Sequence, residues 1–201
     1  MATAPDILIV GGGIAGLTTA IALRHRGFAP ELVERSASWR ALGAGIVLQP
    51  NAMRVLRGLN VGTDIETTGA TLRRFKYFDQ DGDRLCEIDL VKLWSGEGSG
   101  VAIGRGELQK ALVRAADGAR CRLGVEVTSV HQRNGLVSVG FSDGTRAGYE
   151  LVIGADGIGS TVRALAVSEA KPKYCGQMAW RSLARLRAEV EDEGRPVGCR
   201  R

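Results

Sequence analysis

The amino-acid sequence predicts an α/β fold, and three observations support that prediction. An apolar strand, a glycine-rich turn and an apolar helix follow one another over residues 6–26. A β-rich stretch, made of short alternating segments separated by turn residues, occupies the middle of the chain. A second short apolar strand then begins at Leu151. A βαβ start followed by a return to an apolar strand is typical of a parallel sheet with helices packed on it.

The first segment has the features of a βαβ unit that binds a dinucleotide. Four apolar residues, Ile7 to Val10, are followed at once by Gly11, Gly13 and Gly16 in G-x-G-x-x-G spacing, and an apolar helix runs to about Arg26. In this spacing Gly11 permits a tight turn, Gly13 lets the backbone approach a pyrophosphate, and Gly16 lets the helix pack closely on the strand. The free N–H groups and the positive dipole end of the helix then face the phosphates.

The second strand of the unit leads to an acidic residue. Gly27 ends the helix, and the strand from Glu31 to Val33 is followed by Glu34. This acid lies about twenty residues after Gly13, the spacing at which a carboxylate binds the ribose hydroxyls. The cofactor-binding residues expected in this unit are Gly11, Gly13, Ile14, Ala15, Gly16 and Glu34.

Two other interpretations of this segment are open. A glycine-rich turn without a ligand would contain the same glycines. The run from Ile7 to Leu23 contains no charged residue and is at the short limit for a membrane span, although glycines interrupt it. A buried strand and helix explain the run better, so we predict no membrane span.

The composition limits the classes of function. With 201 residues, 44% of them hydrophobic and 24% charged, the chain resembles an ordinary globular protein of about one to one and a half domains. The net charge is +5, but the basic residues are mostly scattered along the chain, and aromatic residues make up only 5%. Both observations disfavour nucleic-acid binding. The four cysteines show no CxxC pairing, and we recognise no signal peptide, which predicts reduced thiols in the cytoplasm. The two histidines have no metal-ligand spacing, so no metal site is predicted.

The next part of the chain predicts two helices and a hairpin. Asn51 is expected to cap a helix from Ala52 to Leu59. Residues 73–78 and 84–90 flank a turn rich in aspartate and glycine, which predicts two paired strands. A second helix is predicted from Glu107 to Ala116, with apolar side chains on one face.

A cluster of short strands follows that second helix. The predicted strands of the cluster are Gly124 to His131, Leu136 to Phe141 and Arg146 to Glu150. A short buried strand is predicted from Leu151 to Ile153. Residues 174–186 are also compatible with a strand.

The motif GADGIGSTVR, residues 154–163, narrows the function. It places the carboxylate of Asp156 in a turn among small residues, where glycines allow close approach of the backbone. Ser160 or Thr161 can cap the helix that follows, with Arg163 in its first turn. From the residues alone, the motif is either a helix-capping turn with an exposed arginine or part of a binding site.

With both motifs, the chain resembles the single-component FAD-dependent aromatic hydroxylases, which are group A flavoprotein monooxygenases with the p-hydroxybenzoate hydroxylase fold. Segments 43–46, 50–52, 103–105 and 174–181 also match the pattern of that family. The resemblance covers nearly the whole chain. It implies a Rossmann-like FAD-binding domain with an inserted β-meander and the beginning of a substrate-domain β-sheet.

The resemblance also implies roles for residues on the adenosine side of FAD. Gly11 to Gly16 would hold the pyrophosphate, and Glu34 would bind the adenosine ribose. Arg35 would lie against the adenine, and Val127 would offer its backbone nearby.

Further roles concern the flavin side and the reductant. The resemblance implies that Ala44 and Gly45 place backbone near the flavin and that Arg105 contacts the phosphate and ribityl region. Asp156 would be the acid of the family's DG motif, and Arg163 would be tied to the use of NADPH or NADH. No catalytic residue is expected, because the protein supplies no nucleophile in this family.

The domain organisation implied by the resemblance has four parts. Residues 1–72 and 101–166 would form the FAD-binding domain, 73–100 a β-hairpin excursion toward the substrate domain, and 167–201 the start of that domain. A full member of the family continues into a second FAD motif. The sequence ends at Arg201 without one, so we expect the N-terminal half of such an enzyme, and whether this chain alone is an enzyme is left open.

The function implied by the resemblance is hydroxylation of a small aromatic substrate, with FAD as cofactor and NADPH or NADH and O₂ as co-substrates. A homodimer is compatible with this interpretation. Two alternatives stay open: a non-catalytic flavin- or nucleotide-binding module, and an NAD-dependent dehydrogenase. The dehydrogenase would leave the motif at 154–163 unexplained.

Overall fold

The computed structural model describes residues 6–39, 44–167, 171–180 and 193–194. The strands are β1 Ile7–Val10, β2 Glu31–Glu34, β3 Gly45–Leu48, β4 Ala70–Leu72, β5 Arg74–Phe78, β6 Arg84–Asp89, β7 Gly100–Gly104, β8 Arg120–Leu123, β9 Val127–Arg133, β10 Leu136–Phe141, β11 Arg146–Tyr149, β12 Leu151–Gly154 and β13 Glu193–Gly194. The helices are α1 Ile14–His25, α2 Pro50–Gly58, α3 Gly62–Thr68, α4 Leu90–Leu93, α5 Arg105–Ala115 and α6 Thr161–Ala166.

The chain divides into two units. The first comprises Met1–Ala41 and Leu112–Ala179, and the second comprises Leu42–Ala111 and Trp180–Arg201. Each unit has its own sheets, which are described separately below.

The first unit is organised around a parallel sheet with the strand order β12-β1-β2-β8. Strand β1 pairs with β2 on one side and with β12 on the other, so that Ile9 lies beside both Leu32 and Ile153. All four residues of β1 are buried, as expected for an inner strand of a parallel sheet. The predicted βαβ start is therefore confirmed.

The two faces of this sheet are covered by different elements. Helix α1 packs on β1 and β2 and buries Leu17 and Ile21. On the other face, Leu8 and Val10 of β1 join a core with apolar residues of the antiparallel strands β9, β10 and β11. Alternation of side chains along a strand allows β1 to serve both layers. The predicted three-strand cluster is a β-meander.

The second unit contains two three-stranded sheets. One has the order β3-β7-β4 and is antiparallel, and the other has the order β13-β5-β6. Strands β5 and β6 form the predicted hairpin, and Asp79 closes its turn by accepting hydrogen bonds from the N–H groups of Asp81 and Asp83.

The helix predicted from Ala52 to Leu59 begins earlier than expected, and Asn51 is not its cap. Helix α2 starts at Pro50, whose fixed φ suits the first helical position, and Gln49 occupies the N-cap. The Asn51 carboxamide accepts a hydrogen bond from the Ala52 N–H instead, at 2.9 Å. The second predicted helix likewise starts two residues early, at Arg105.

The strand boundaries near the meander also differ from the prediction. The segment predicted as one strand from residue 124 contains β9, which begins only at Val127, and it follows a separate strand, β8, that the sequence did not indicate. Gly124 separates the two strands with a φ of 74°, a conformation that breaks a strand.

The short strand predicted at Leu151 is present but is not buried. Strand β12 is the outermost strand of the parallel sheet in the described part of the chain, and Leu151 is 48% exposed. Residues 174–180, the described part of the last predicted strand region, contain no strand; residues 181–186 lie outside the described ranges.

Candidate functional site

The turn after β1 and the turn after β12 are in direct contact. Gly11 has a φ of 108°, and a β-carbon at that position would lie 2.5 Å from the carbonyl oxygen of Ala155. The Gly11 N–H donates to Val33 O at 2.8 Å, and the Ala155 N–H donates to Val10 O at 2.7 Å. A β-carbon on Gly16 would collide with the Gly11 carbonyl. Glycine at positions 11 and 16 is therefore required by close packing at the carboxyl edge of the sheet.

The start of α1 is open to a ligand. Gly13 is the N-cap and provides no side-chain hydrogen bond to the first turn of the helix. A β-carbon added to Gly13 would meet no atom within 4 Å, so there is space in front of the helix. Uncapped N–H groups at the positive end of a helix of this length attract anions, phosphates in particular. Ile14 and Ala15 are the first helical residues.

The carboxylate of Glu34 is fixed by two backbone donors. Its Oε2 accepts the Gly12 N–H at 2.7 Å, and its Oε1 accepts the Ser36 N–H at 2.8 Å. Each oxygen keeps a further lone pair for another donor. The acid at the end of β2 is thus held in one orientation beside the glycine turn, with capacity left to accept hydrogen bonds from ribose hydroxyls.

A pocket lies beside this carboxylate in the first unit. Its lining residues come from both turns, from the end of β2 and from the start of β9: Val10, Gly11, Val33, Glu34, Arg35, Val125, Glu126, Val127, Asp156, Gly159 and Thr161. The wall formed by residues 125–127 is attached to β2, since the Val125 N–H donates to Glu34 O at 3.1 Å and the Gly124 N–H donates to Ser36 O at 3.0 Å.

The predicted capping turn at residues 156–163 is confirmed. Ser160 is the N-cap of α6 and its Oγ accepts the Arg163 N–H at 3.0 Å, while Asp156 Oδ2 accepts the Val162 N–H at 3.0 Å. Partial burial acts to raise the pKa of Asp156, but hydrogen bonds from Ser160 and from backbone N–H groups lower the pKa below its usual value. Asp156 is therefore a carboxylate that organises the turn and also lines the pocket.

The Arg163 side chain is turned back on the same loop. Its Nη2 donates to Ile158 O at 2.7 Å. Ile158 itself is 80% exposed, so the tip of this turn faces solvent in the described structure. The arginine uses one of its five N–H donors in this contact, which leaves the others for a further acceptor.

An ion network in the first unit was missed by the sequence analysis. Arg122 of β8 donates to Asp143 at 2.6 Å and to Thr145 at 2.8 Å, and its guanidinium lies 4.4 Å from the centre of the Phe141 ring. The pKa of Asp143 is lowered to about 2, first by the hydrogen bonds from Thr145 and then by Arg122. This network ties the turn between β10 and β11 to the parallel sheet.

A buried acid on β2 belongs to the same network. Glu31 is only 6% exposed; it accepts the Tyr149 hydroxyl at 2.9 Å and lies 3.5 Å from Arg122. Burial, reinforced by the hydrogen bond to Glu31, raises the pKa of Tyr149. Since the partners of Glu31 are distant in the sequence, no local pattern could have indicated them.

The remaining predicted residues lie together in the second unit. The Arg105 N–H, at the start of α5, donates to Ala44 O at 2.9 Å, and Gly45 pairs with Gly104 across β3 and β7. Arg105 is exposed. The resemblance implies that Ala44 and Gly45 lie near the flavin and that Arg105 contacts the phosphate and ribityl region, and the fold of the second unit brings these three residues together.

The parallel sheet, the uncapped helix behind a glycine turn and the fixed acid define an α/β protein with a nucleotide-binding site. Comparison with known proteins gives the family. Residues 4–188 match the FAD binding domain family, and the chain belongs to that family. The fold is accordingly a Rossmann-like FAD-binding domain with an inserted β-meander, and FAD is its cofactor.

The curated relatives of this chain include monooxygenases. Aurachin C monooxygenase/isomerase of Stigmatella aurantiaca is 33% identical over 91% of this chain and 48% of that protein. The 3-amino-4-hydroxybenzoate 2-monooxygenase of Streptomyces cremeus is 36% identical over 88% of this chain and 45% of that protein. The chain therefore spans about half the length of the curated relatives it matches.

Solved structures agree with this assignment. HpxO of Klebsiella pneumoniae, complexed with FAD and uric acid, superposes on this chain with a TM-score of 0.70 at 31% identity. The superposition covers 79% of this chain and 40% of the HpxO chain. The tetracycline destructase Tet(51) superposes with a TM-score of 0.65 at 32% identity over 83% of this chain and 42% of its own. Among the described residues, no helix has the length and apolarity needed to cross a membrane.

Proposed function

We propose that this chain is the cofactor-binding part of an FAD-dependent monooxygenase that hydroxylates a small aromatic substrate with NADPH or NADH and O₂. The observation that carries the proposal is the pocket beside Glu34, which combines a fixed acid, an open helix start and the motif turn at Asp156. Monooxygenases of aromatic compounds among the relatives support the activity and the substrate class. When bound, FAD supplies the redox chemistry, and the residues of the chain bind and orient it.

On the adenosine side, the proposed roles follow the pocket. The N–H groups of Ile14, Ala15 and Gly16 receive the pyrophosphate at the start of α1, where space is open in front of Gly13. The Glu34 carboxylate accepts hydrogen bonds from the ribose hydroxyls.

The walls of the same pocket receive the base. Val127, at the start of β9, and Arg35, directly after β2, both line the pocket, and we assign the Val127 backbone and the Arg35 side chain to the adenine. A planar guanidinium can stack on a base, which suits Arg35 to this position.

On the flavin side, Ala44 and Gly45 offer backbone groups, and Arg105 supplies a cation to the phosphate and ribityl region. Their adjacency in the second unit supports a common role. We also propose that the chain is organised in four parts: residues 1–72 and 101–166 form the FAD-binding domain, residues 73–100 form the hairpin excursion, and residues 167–201 begin the substrate domain. A cytoplasmic location and assembly as a homodimer belong to the same proposal.

Reconstitution with FAD tests the proposed cofactor role. Purified protein stripped of cofactor is titrated with FAD, and the visible absorption of the protein-bound fraction is recorded after gel filtration. Retention of an oxidised flavin spectrum supports the proposal. A protein that retains NAD but not FAD would instead be a dehydrogenase-like domain.

A second assay tests the reaction. NADPH or NADH is added under air with a panel of phenolic and heteroaromatic acids, and nicotinamide oxidation, peroxide release and hydroxylated product are measured together. Product formed in step with nicotinamide oxidation would show that these 201 residues complete the active site; FAD binding without oxidation is the result expected of a cofactor-binding part.

We assign Arg163 to the nicotinamide reductant. Its Nη2 donates to Ile158 O within the motif turn, and its guanidinium has further N–H groups that can bind an anionic ligand. Arg163→Ala is expected to slow reduction by NADPH or NADH at unchanged FAD content, measured by anaerobic stopped-flow absorbance. Loss of FAD with normal reduction of the remainder would reverse the assignment.

A further inference from the structure

Trp39 lies against the glycine turn, at a place that the sequence analysis did not single out. An ideal β-carbon added to Gly12 would lie 2.5 Å from Cζ3 of the Trp39 ring. Gly12 is buried and Trp39 is half-buried, so the ring covers the Gly12 peptide on one side. Gly12 occupies the second position of the G-x-G-x-x-G pattern, where the pattern itself allows any residue. The contact with Trp39 explains why this position holds glycine, since a β-carbon would collide with the ring.

The same point is shared by the Glu34 side chain. The ideal β-carbon on Gly12 would lie 3.0 Å from Cβ and 3.1 Å from Cγ of Glu34. Gly12 is also the residue whose N–H donates to Glu34 Oε2 at 2.7 Å. The indole ring, the Gly12 peptide and the stem of the glutamate therefore meet at one place.

We propose that Trp39 is a positioning residue that holds the Glu34 carboxylate for recognition of the adenosine ribose, an inference that rests on the proposed FAD-binding function. The ring acts in two ways. It occupies the space into which the Glu34 stem and the Gly12 peptide could otherwise move, so less freedom is lost when a ligand binds. It also keeps water from the Gly12–Glu34 hydrogen bond, which strengthens that bond in a medium of lower dielectric constant.

Trp94 provides a matched control for this role. Its ring packs on another buried glycine, because a β-carbon on Gly100 would lie 2.6 Å from Trp94 Cζ3 and 2.8 Å from Cη2. Trp94 is half-buried like Trp39, but it belongs to the second unit, and its glycine contact involves no acid. Removing either ring deletes a similar packing contact, but of the two rings only that of Trp39 lies on Gly12, which donates to Glu34 Oε2.

The experiment compares two nucleotides that differ only at the ribose. Dissociation constants for adenosine diphosphate and for its dideoxy analogue, which lacks both ribose hydroxyls, are measured by calorimetry with the 201-residue chain. Wild type is expected to prefer the hydroxylated nucleotide by about 10- to 150-fold, the effect of a hydrogen bond to a charged group. Trp39→Ala is expected to reduce that preference by about threefold to tenfold, comparable to one ordinary hydrogen bond, and Trp94→Ala to leave it unchanged.

Further variants separate positioning from folding. Trp39→Leu keeps an apolar side chain but removes the ring, and it should lower the preference in the same way; it replaces Trp39→Ala if the alanine variant does not fold. Gly12→Ala should also weaken the preference, and the Gly12→Ala/Trp39→Ala double variant should recover part of it, because the added methyl group then has space on the ring side.

The outcomes are distinct. A folded Trp39 variant that keeps the wild-type preference for ribose hydroxyls overturns the inference, as does an equal loss of preference in Trp94→Ala. If the wild-type chain binds both nucleotides equally, or neither, the proposed function of this site fails and the inference fails with it; if wild type discriminates, only the role of Trp39 is judged.

Discussion

Replacing Glu34 with glutamine removes one charge while it keeps the size of the side chain, and the structure predicts a large effect. Both carboxylate oxygens accept backbone N–H groups, Gly12 at 2.7 Å and Ser36 at 2.8 Å. A glutamine has a single acceptor oxygen, so in either amide orientation its NH₂ group faces one of these two donors. One backbone hydrogen bond is lost, and the oxygen that remains is a weaker acceptor for a ribose hydroxyl.

The magnitude follows from hydrogen bonds to charged groups. The loss of one such bond corresponds to about 1.5–3 kcal/mol, or roughly 10- to 150-fold in the dissociation constant for FAD. Glu34→Ala, which removes both acceptors, should weaken FAD binding at least as much. Glu126→Gln is the control, since Glu126 lines the same pocket but is exposed.

Calorimetric titration of the cofactor-free protein with FAD measures the effect at fixed ionic strength. Thermal unfolding of the cofactor-free variants shows whether the fold is kept. An FAD dissociation constant that stays at the wild-type value in a well-folded Glu34→Gln protein would refute the assignment, and so would an equal loss in Glu126→Gln.

Three further predictions concern the stability of the first unit, measured by urea unfolding. Gly16→Ala should lower the free energy of unfolding by about 1–3 kcal/mol or more, because its methyl group collides with the Gly11 carbonyl; an unchanged midpoint would contradict this. Tyr149→Phe should cost about 1.5–3 kcal/mol, because the buried Glu31 loses its hydroxyl donor; wild-type stability would show that water replaces the hydroxyl. The folded-state pKa of Asp143, about 2, lies below its unfolded value, so its stabilising contribution is complete above about pH 4 and is lost as the pH falls toward 2. The stability difference between wild type and Asp143→Asn should therefore shrink over that range, and a difference independent of pH would be evidence against the lowered pKa.

The sequence was most informative where spacing along the chain determines geometry. The positive φ of Gly11 and the tight contact at Gly16 could be expected from the glycine pattern, since no larger residue fits such a turn. The helix cap at Ser160 could likewise be expected, because a serine directly before a helix is a common N-cap.

Features that depend on contacts between distant residues were not predictable. The role of Arg122 arises only when β8 lies beside β2 and the meander turn folds back over it. Trp39 lies in a polar loop with no periodic pattern, so nothing local indicated that its ring packs on Gly12. The strand at Leu151 was predicted to be buried, because a short apolar run is typical of an inner strand. In the structure this strand lies at the edge of the described sheet.

The contact between the turns after β1 and β12 has a consequence for synthesis of the protein. Strand β1 leaves the ribosome long before its neighbour β12 and the Ala155 carbonyl that touches Gly11, which are made only after the whole meander. Such long-range pairing must wait for most of the chain and slows folding. A nascent chain that stops before residue 155 would display the glycine turn and Glu34 but lack the part of the pocket wall formed by Asp156, Gly159 and Thr161. Cofactor capture should therefore be a late event on the ribosome, and the N-terminal motif alone should not retain nucleotide.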